Sequence, residues 1–464
     1  ERLERLIEEG GKNGKPVLAH CVVKAHRKPS TFENVTARIP GETEEEVLLI
    51  AHLCHPRGSA NDNLSGVAAA LEAARALKQA IAGGLLPVPK RSIRILLVPE
   101  YLGSYAYVSQ TDRRGKEQAV GGLDLDMVGS SQNNHNGPLS ICDTPGAAPS
   151  FVTALAWAIH KTLQDDECIT SKHGFVPLFT GCFTGFRGGS DHAVFSDPVL
   201  RTPTPMLGQE PDFLYHTSGD LPETLDPFIL TKSATLAAVY AYTLAALSER
   251  DVRTVLGTVL EMLSLRLTDL YGQYRDALFS EEAYLAYTQN IIDRTVDAVA
   301  DLTRFFPGKE TSVRQLIARG QSSVREAAAL QLSVLVGEET ASELAAGARI
   351  PVHPNAKPFW DDAAYAWTPA RTFVGPVHDL KKILRARGKS EEAYEAYVGA
   401  VPEYGIASIE HQLEYYIDGK RTCAEIVNAA LLESQGARDF ETLYKYLLLL
   451  EEAELIVRRG KDGI

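Results

Sequence analysis

The sequence predicts an α/β fold: a three-layer α/β/α domain around a mixed, mostly parallel sheet, continued by a helical segment and a C-terminal winged-helix domain. Short apolar runs at 47–51, 93–98 and 123–128 have the length and composition of buried strands. Helical patterns separate them, as where Val67, Leu71, Ala74 and Leu77 recur within 65–78. Strands alternating with helices build a parallel sheet covered on both faces. Beyond residue 250 the strand signals stop, and 252–270, 281–305 and 312–336 read as long helices.

Taken in order, residues 1–34 look like the remnant of an N-terminal region, and 35–250 form the α/β domain. Its strand at 47–51 leads through a polar loop into the helix at 65–78. A proline-rich break at 86–89 precedes the strand at 93–98, and amphipathic helices follow the strand at 123–128, at 149–164 and 229–247. The helical segment runs over 251–350. Pro351, Pro354, Pro358, Pro369 and Pro376 then interrupt regular structure, because proline fixes φ and removes a donor, so 351–379 reads as a linker. Within 380–464, helices at 409–416, 422–433 and 440–454 and a strand at 455–459 follow the order of a winged helix, with Asp418-Gly-Lys-Arg-Thr422 as turn and helix cap.

A chain of 464 residues with 45% apolar and 23% charged residues is expected to fold as several globular units. Its formal charge of −13 argues against a sequence-independent grip on nucleic-acid phosphates. No stretch reads as roughly 20 uninterrupted apolar residues, so no membrane association is expected. Six cysteines without a Cys-x-x-Cys pair fit a reducing compartment, and no leader is visible, so a cytoplasmic location is expected. The chain starts at Glu1, so the natural N-terminus is expected upstream.

The chemistry-bearing residues fall at strand ends. Ala51-His-Leu-Cys-His-Pro56 follows the first strand, and Ala60-Asn-Asp-Asn-Leu-Ser-Gly66 leads into the helix. Imidazole and carboxylate on one strand-end loop suit a borderline cation such as zinc. Taken alone, His52 and His55 read equally well as loop histidines and Asp62 as a helix cap. Glu100 then follows the second strand, Asp126 ends the third, and His216 sits in Tyr215-His-Thr-Ser-Gly-Asp220. In a parallel sheet, polar residues beyond the carboxyl ends of the strands mark the ligand-binding edge.

In this set the sequence resembles the co-catalytic zinc aminopeptidase superfamily, which includes aminopeptidase S, aminopeptidase Y and the glutamate carboxypeptidase group. Within it the chain is similar to bacterial aminopeptidase-like proteins that end in a winged helix. The resemblance covers about residues 35–245 and rests on His52, Asp62-Asn-Leu-Ser-Gly66, Glu100 with Gly103-Ser104, Asp126-Met-Val-Gly129, Ser190-Asp-His192 and His216-Thr-Ser-Gly-Asp220. It implies a zinc-peptidase fold and one or two Zn2+ ions held by His52, Asp62, Glu100, Asp126 and His216. Asp62 would bridge, with His52 and Asp126 on one ion and His216 on the other. Two such ions polarise a scissile carbonyl and activate water at neutral pH.

Two departures from the family pattern stand out. Pro99-Glu100-Tyr101 replaces a Glu-Glu pair, and Cys54 stands where the family has an aspartate behind the first histidine. Glu100 is therefore either the general base or a metal ligand, and the sequence leaves the two open. Secondary candidates are Tyr215 as an oxyanion donor, Asp191 and His192 to contact substrate or orient a ligand, Arg187 for a substrate carboxylate, His55 as a substitute ligand or a donor to one, and Cys54 as a metal binder. Each also has a plain reading as turn, packing or surface residue.

The expected activity is removal of N-terminal residues from peptides by metal-activated water. The competing readings are a catalytically altered member acting in polysaccharide biosynthesis, a metal-bound scaffold, and a regulator. Residues 401–464 hold seven Lys/Arg against twelve Asp/Glu, which disfavours DNA and suggests a protein contact or a homo-oligomer through the winged helix.

Overall fold

In the computed structural model the strands at the centre of the sheet are buried along their whole length, which is why they read as unbroken apolar runs. The described residues are 2–12, 14, 17–18, 20–26, 28–55, 59–114, 119–132, 137–166, 168–172, 174–307, 311–347, 351–401 and 406–459. Pro56 of the histidine loop lies outside them. Helix α1, Arg2–Lys12, belongs to a unit of its own, Glu1–Glu33.

The strands of the second unit begin with β1 (Val35–Ile39), β2 (Glu46–His52), β3 (Ser92–Val98), β4 (Ala119–Asp126) and β5 (Leu139–Cys142). A side hairpin, β6 (Cys168–Ser171) and β7 (Gly174–Pro177), precedes β8 (Gly181–Thr184) and β9 (Met206–Gln209). Among the described residues the main sheet has the order β1-β3-β2-β4-β9-β5-β8. Strands β3, β2, β4 and β9 run parallel, while β1 and β5 enter antiparallel. The mixed, mostly parallel α/β fold is therefore present.

Alternate residues of the central strands face two different layers. Val47, Leu49 and Ala51 of β2 join a core with α2 (Gly66–Ala82), whereas Leu48 and Ile50 face Tyr107 of α3 (Leu102–Arg114) and Phe195 of α5 (His192–Phe195). Helices α4 (Val152–Asp166) and α6 (Pro227–Ala246) complete the first layer. By length and composition α6 is apolar enough to cross a membrane, although Thr231, Lys232 and Ser233 interrupt its apolar run. Its Leu236, Ala237, Tyr240, Ala241 and Leu244 are fully buried, as in a core helix.

Helices α7 (Val252–Arg275), α8 (Glu281–Asp301), α9 (Thr311–Val336) and α10 (Glu338–Ala346) extend the same core, because Val255, Val259 and Met262 continue it beyond α4. The C-terminal region comprises β10 (Thr368–Arg371), α11 (Leu380–Ala386), α12 (Glu392–Ala400), α13 (Ile406–Tyr416), α14 (Cys423–Glu433), α15 (Phe440–Glu452) and β11 (Ile456–Arg459). Three helices and a strand thus follow the predicted order, but β11 pairs with β10, far upstream in the chain. The proline-rich stretch expected as a linker supplies that strand and sends Phe359, Trp367, Phe373 and Val377 into the C-terminal core. Prolines end regular elements without preventing apolar side chains between them from packing. Residues 34–464 form one compact unit.

Candidate metal centre

Three of the predicted site residues are brought together by adjacent strands. His52 ends β2, Asp126 ends β4, and Glu100 follows β3 by two residues, so all three lie at the carboxyl edge of neighbouring strands. His52 Nε2 is 3.1 Å from Asp62 Oδ1 and 3.3 Å from Asp126 Oδ1. The other carboxylate oxygen of Asp62, Oδ2, lies 3.0 Å from His216 Nε2, and His55 Nε2 is 3.5 Å from Asp62 Oδ1. Asp62 is therefore central, with imidazoles at both of its oxygens.

The turn that carries Asp62 is held by its own neighbours. Asn61 Oδ1 accepts from Gly129 N at 2.9 Å, Asn63 Nδ2 donates to Leu125 O at 2.8 Å, and Ser65 Oγ accepts from Val128 N at 2.9 Å. These bonds staple the turn to the exit of β4, which fixes Asp62 relative to Asp126. Gly66 makes the approach feasible, since a Cβ there would lie 2.1 Å from Leu125 O. Asp220 clamps the other side, accepting from the Asn61 and Asp62 amides at 2.7 and 3.1 Å, and so ties the His216 loop to the same turn. Tyr101, Met127 and His216 hold positive φ of 56°, 58° and 55°, a costly conformation for non-glycine residues that concentrates at functional sites.

Electrostatically the cluster demands positive charge. Burial disfavours a protonated His52, yet hydrogen bonds to Asp126 and Asp62 override it and hold its proton far above the usual imidazole range. Burial, reinforced by Asp126, Asp191 and Asp62, pushes the Glu100 carboxyl up to about 8, against the opposing pull of His52. Asp126 Oδ1 is buried and faces the His52 ring at 3.3 Å. Ligand atoms of His52, Asp62 and Asp126 lie within 4.8 Å of one another, as do those of His55, Asp62 and His216. Imidazole nitrogens and carboxylate oxygens so arranged fit a borderline divalent cation.

The secondary candidates are sorted by burial. Tyr215 is half exposed and stacks on His216 with ring centroids 3.7 Å apart, at the mouth of the cluster. Asp191, expected to touch substrate or orient a ligand, is fully buried; its Oδ1 accepts from Tyr101 N at 2.8 Å and Ser104 Oγ at 2.6 Å, so it anchors the turn after Glu100 from below. His192 is also fully buried, with its amide donating to Asp124 and its Nε2 2.6 Å from Arg187 O. The Arg187 guanidinium pairs with Glu210. Cys54 Sγ lies 3.7 Å from His52 Nδ1, on the side of the ring away from the carboxylates. Sequence reasoning missed His378 of the C-terminal region, whose ring packs 3.8 Å from that of Tyr101; no local pattern marks a contact between segments so far apart.

Residues 12–140 match a family model described as a domain of unknown function, DUF4910. Over 83 residues the chain is 40% identical to a Clostridium acetobutylicum protein named for polysaccharide biosynthesis and for an aminopeptidase-like domain. That match covers 18% of this chain and 17% of the relative, so the chain aligns with about a sixth of its length. Among solved structures, a C. acetobutylicum protein described as a peptidase is 28% identical over 46% of this chain and 44% of its own, at a TM-score of 0.35. An aminopeptidase from Aneurinibacillus sp. strain AM-1 is 22% identical over 45% and 47%, at 0.34. The glutaminyl cyclase of Fimbriiglobus ruber is 12% identical over 46% and 75%, at 0.33.

Proposed function

We propose that this chain is a zinc-dependent hydrolase of the aminopeptidase type that removes N-terminal residues from peptides. The observation that carries the reading is the placing of Asp62 between His52 and His216, 3.1 and 3.0 Å from its two oxygens, with Asp126 3.3 Å from the same His52 nitrogen. His52, Asp62, Asp126 and His216 would hold the metal. When bound, zinc supplies Lewis acidity that polarises a carbonyl and lowers the pKa of water. Glu100 takes a proton from the attacking water and returns it to the leaving amine. Asp191 and Ser104 keep the Glu100 turn in place from beneath. Tyr215, beside His216 at the mouth, is placed to donate its phenol proton to a developing oxyanion.

The test is zinc content together with a panel of aminoacyl chromogenic substrates. Zinc-loaded protein is expected to cleave at least one, and activity should vanish with chelator and return with zinc. Cleavage that persists after complete metal removal refutes the reading. A second reading, a catalytically altered member acting in polysaccharide biosynthesis, is favoured by the name of the 40% identical relative. Hydrolysis of N-acylated sugars, with no turnover of any aminoacyl substrate, would select it.

A further inference from the structure

The proposed chemistry needs a water-activating base that is not tied up as a ligand, yet this sequence offers a single glutamate, Glu100, between Pro99 and Tyr101. The geometry divides the cluster in a way that relieves the shortage. Glu100 groups within 4.8 Å of ligand atoms of His52, Cys54 and His55, and it is absent from the groups built on Asp62. The His55 imidazole, by contrast, groups with Asp62 and His216. Its Nε2 is 3.5 Å from Asp62 Oδ1, and its ring lies 5.3 Å from that of His216 and 5.0 Å from that of His52.

We infer that His55 is a metal ligand in its own right: with Asp62 and His216 it forms a second divalent-cation site beside the one made by His52, Asp62 and Asp126, leaving Glu100 outside both. The inference rests on the hydrolase reading above and adds a site to it. Three points favour it over a turn histidine. His55 presents Nε2, at 3.5 Å, to a carboxylate that His52 and His216 already approach at 3.1 and 3.0 Å, so three imidazole nitrogens converge on one pair of oxygens. It is only a quarter exposed although it lies in a loop next to undescribed residues. The donor set Nε2, carboxylate and Nε2 is the imidazole and carboxylate mixture that zinc accepts, with positions left for water or substrate.

Cys54 fits the same scheme. Its Sγ meets His52 Nδ1 at 3.7 Å, so the thiol sits behind the first histidine and directs Nε2 toward Asp62 and Asp126. Adjacent residues of one loop then serve two sites: Cys54 orients a ligand of the first cation, and His55 supplies a ligand to the second.

Equilibrium binding of Zn2+ to the metal-depleted full chain, followed by calorimetry and elemental analysis, tests this. The wild type should take up two zinc ions per chain. His55→Ala should retain the first and bind the second about 100-fold or more weakly, at least the cost of losing an outer partner of a ligand. Glu100→Gln should still take up two. His55→Ala that binds two ions with unchanged affinities overturns the assignment, as does Glu100→Gln that binds only one. A wild type that binds one ion and hydrolyses substrate overturns the second site while leaving the hydrolase reading intact; a wild type that binds none removes both. Circular dichroism and melting of the metal-free variants report folding. If His55→Ala is unfolded, His55→Gln takes its place under the same two outcomes.

Discussion

Glu100 and Gly66 show how single residues set the centre. At Glu100 the expected result of Glu100→Gln is a fall in turnover of about 10²- to 10⁴-fold, the usual worth of a positioned proton carrier. Bound zinc should be unchanged by elemental analysis, and a variant with wild-type turnover would remove Glu100 from the mechanism. At Gly66 the constraint is steric. A methyl group would meet Leu125 O of β4 at 2.1 Å and Asn63 Oδ1 of the turn that carries Asp62 at 2.4 Å. Gly66→Ala should therefore cost about 3 kcal/mol, at the upper end of overpacking penalties, read as a lower denaturation midpoint. It should also weaken zinc binding, since the turn and β4 must separate.

At the level of elements, the sheet edge gathers the ligands and the helices behind it keep the edge rigid. Helix α4 carries His160 into full burial, where its Nε2 lies 3.0 Å from Leu139 O of β5. Burial pulls this imidazole down to about 4, against an ordinary value near 6.5. The folded state keeps His160 neutral while the unfolded chain takes up a proton below about pH 6.5. Its stabilisation is thus complete above that pH and is lost as the pH falls toward 4. Between pH 7 and 5 the loss amounts to about 2 kcal/mol. His160→Gln, which keeps a donor for Leu139 O, should narrow its stability gap to the wild type by that amount over the same interval, measured by urea unfolding. A gap that stays constant with pH would show that His160 is protonated in the fold.

Considered as a whole molecule, the C-terminal region closes against the α/β domain close to the candidate metal centre. Arg371 of β10 makes two hydrogen bonds to Asp197 at 2.7 and 2.9 Å, both side chains being almost fully buried, and Gly375 N donates to the same carboxylate. On α13, Tyr415 donates to Ala193 O and Gln412 to Phe186 O. His378 lies against Tyr101, next to Glu100. Arg371→Ala leaves a buried carboxylate uncompensated and should cost about 3–5 kcal/mol. The cut sites in limited proteolysis should then move to residues 351–379, with turnover falling because the packing on Tyr101 loosens. Unchanged proteolysis would mean that this ion pair does not hold the regions together. The helical segment lines a cavity of about 540 Å3 with Phe186, Arg266, Arg294 and Glu433 on its surface. None of the predicted metal ligands lines it.

The sequence by itself determined the three central strands β2, β3 and β4, the helices α2, α4 and α6, and the identity of the clustered side chains. Each of those signals is local: an apolar run of strand length, a helical spacing, or a metal-competent residue at the end of a run. It left Glu100 open between ligand and base, and His55 between ligand and turn residue, because that depends on distances of a few ångströms between loops whose conformation no period encodes. It left Asp191 open between touching substrate and orienting a ligand, because a residue beside a motif gives no sign of its burial. It read the proline-rich stretch as a linker because proline signals the end of an element and nothing about what packs beside it. Only the tertiary structure decided which residues around Asp62 share an oxygen, and that β10 and β11 join across the chain, since both depend on contacts between segments far apart in sequence.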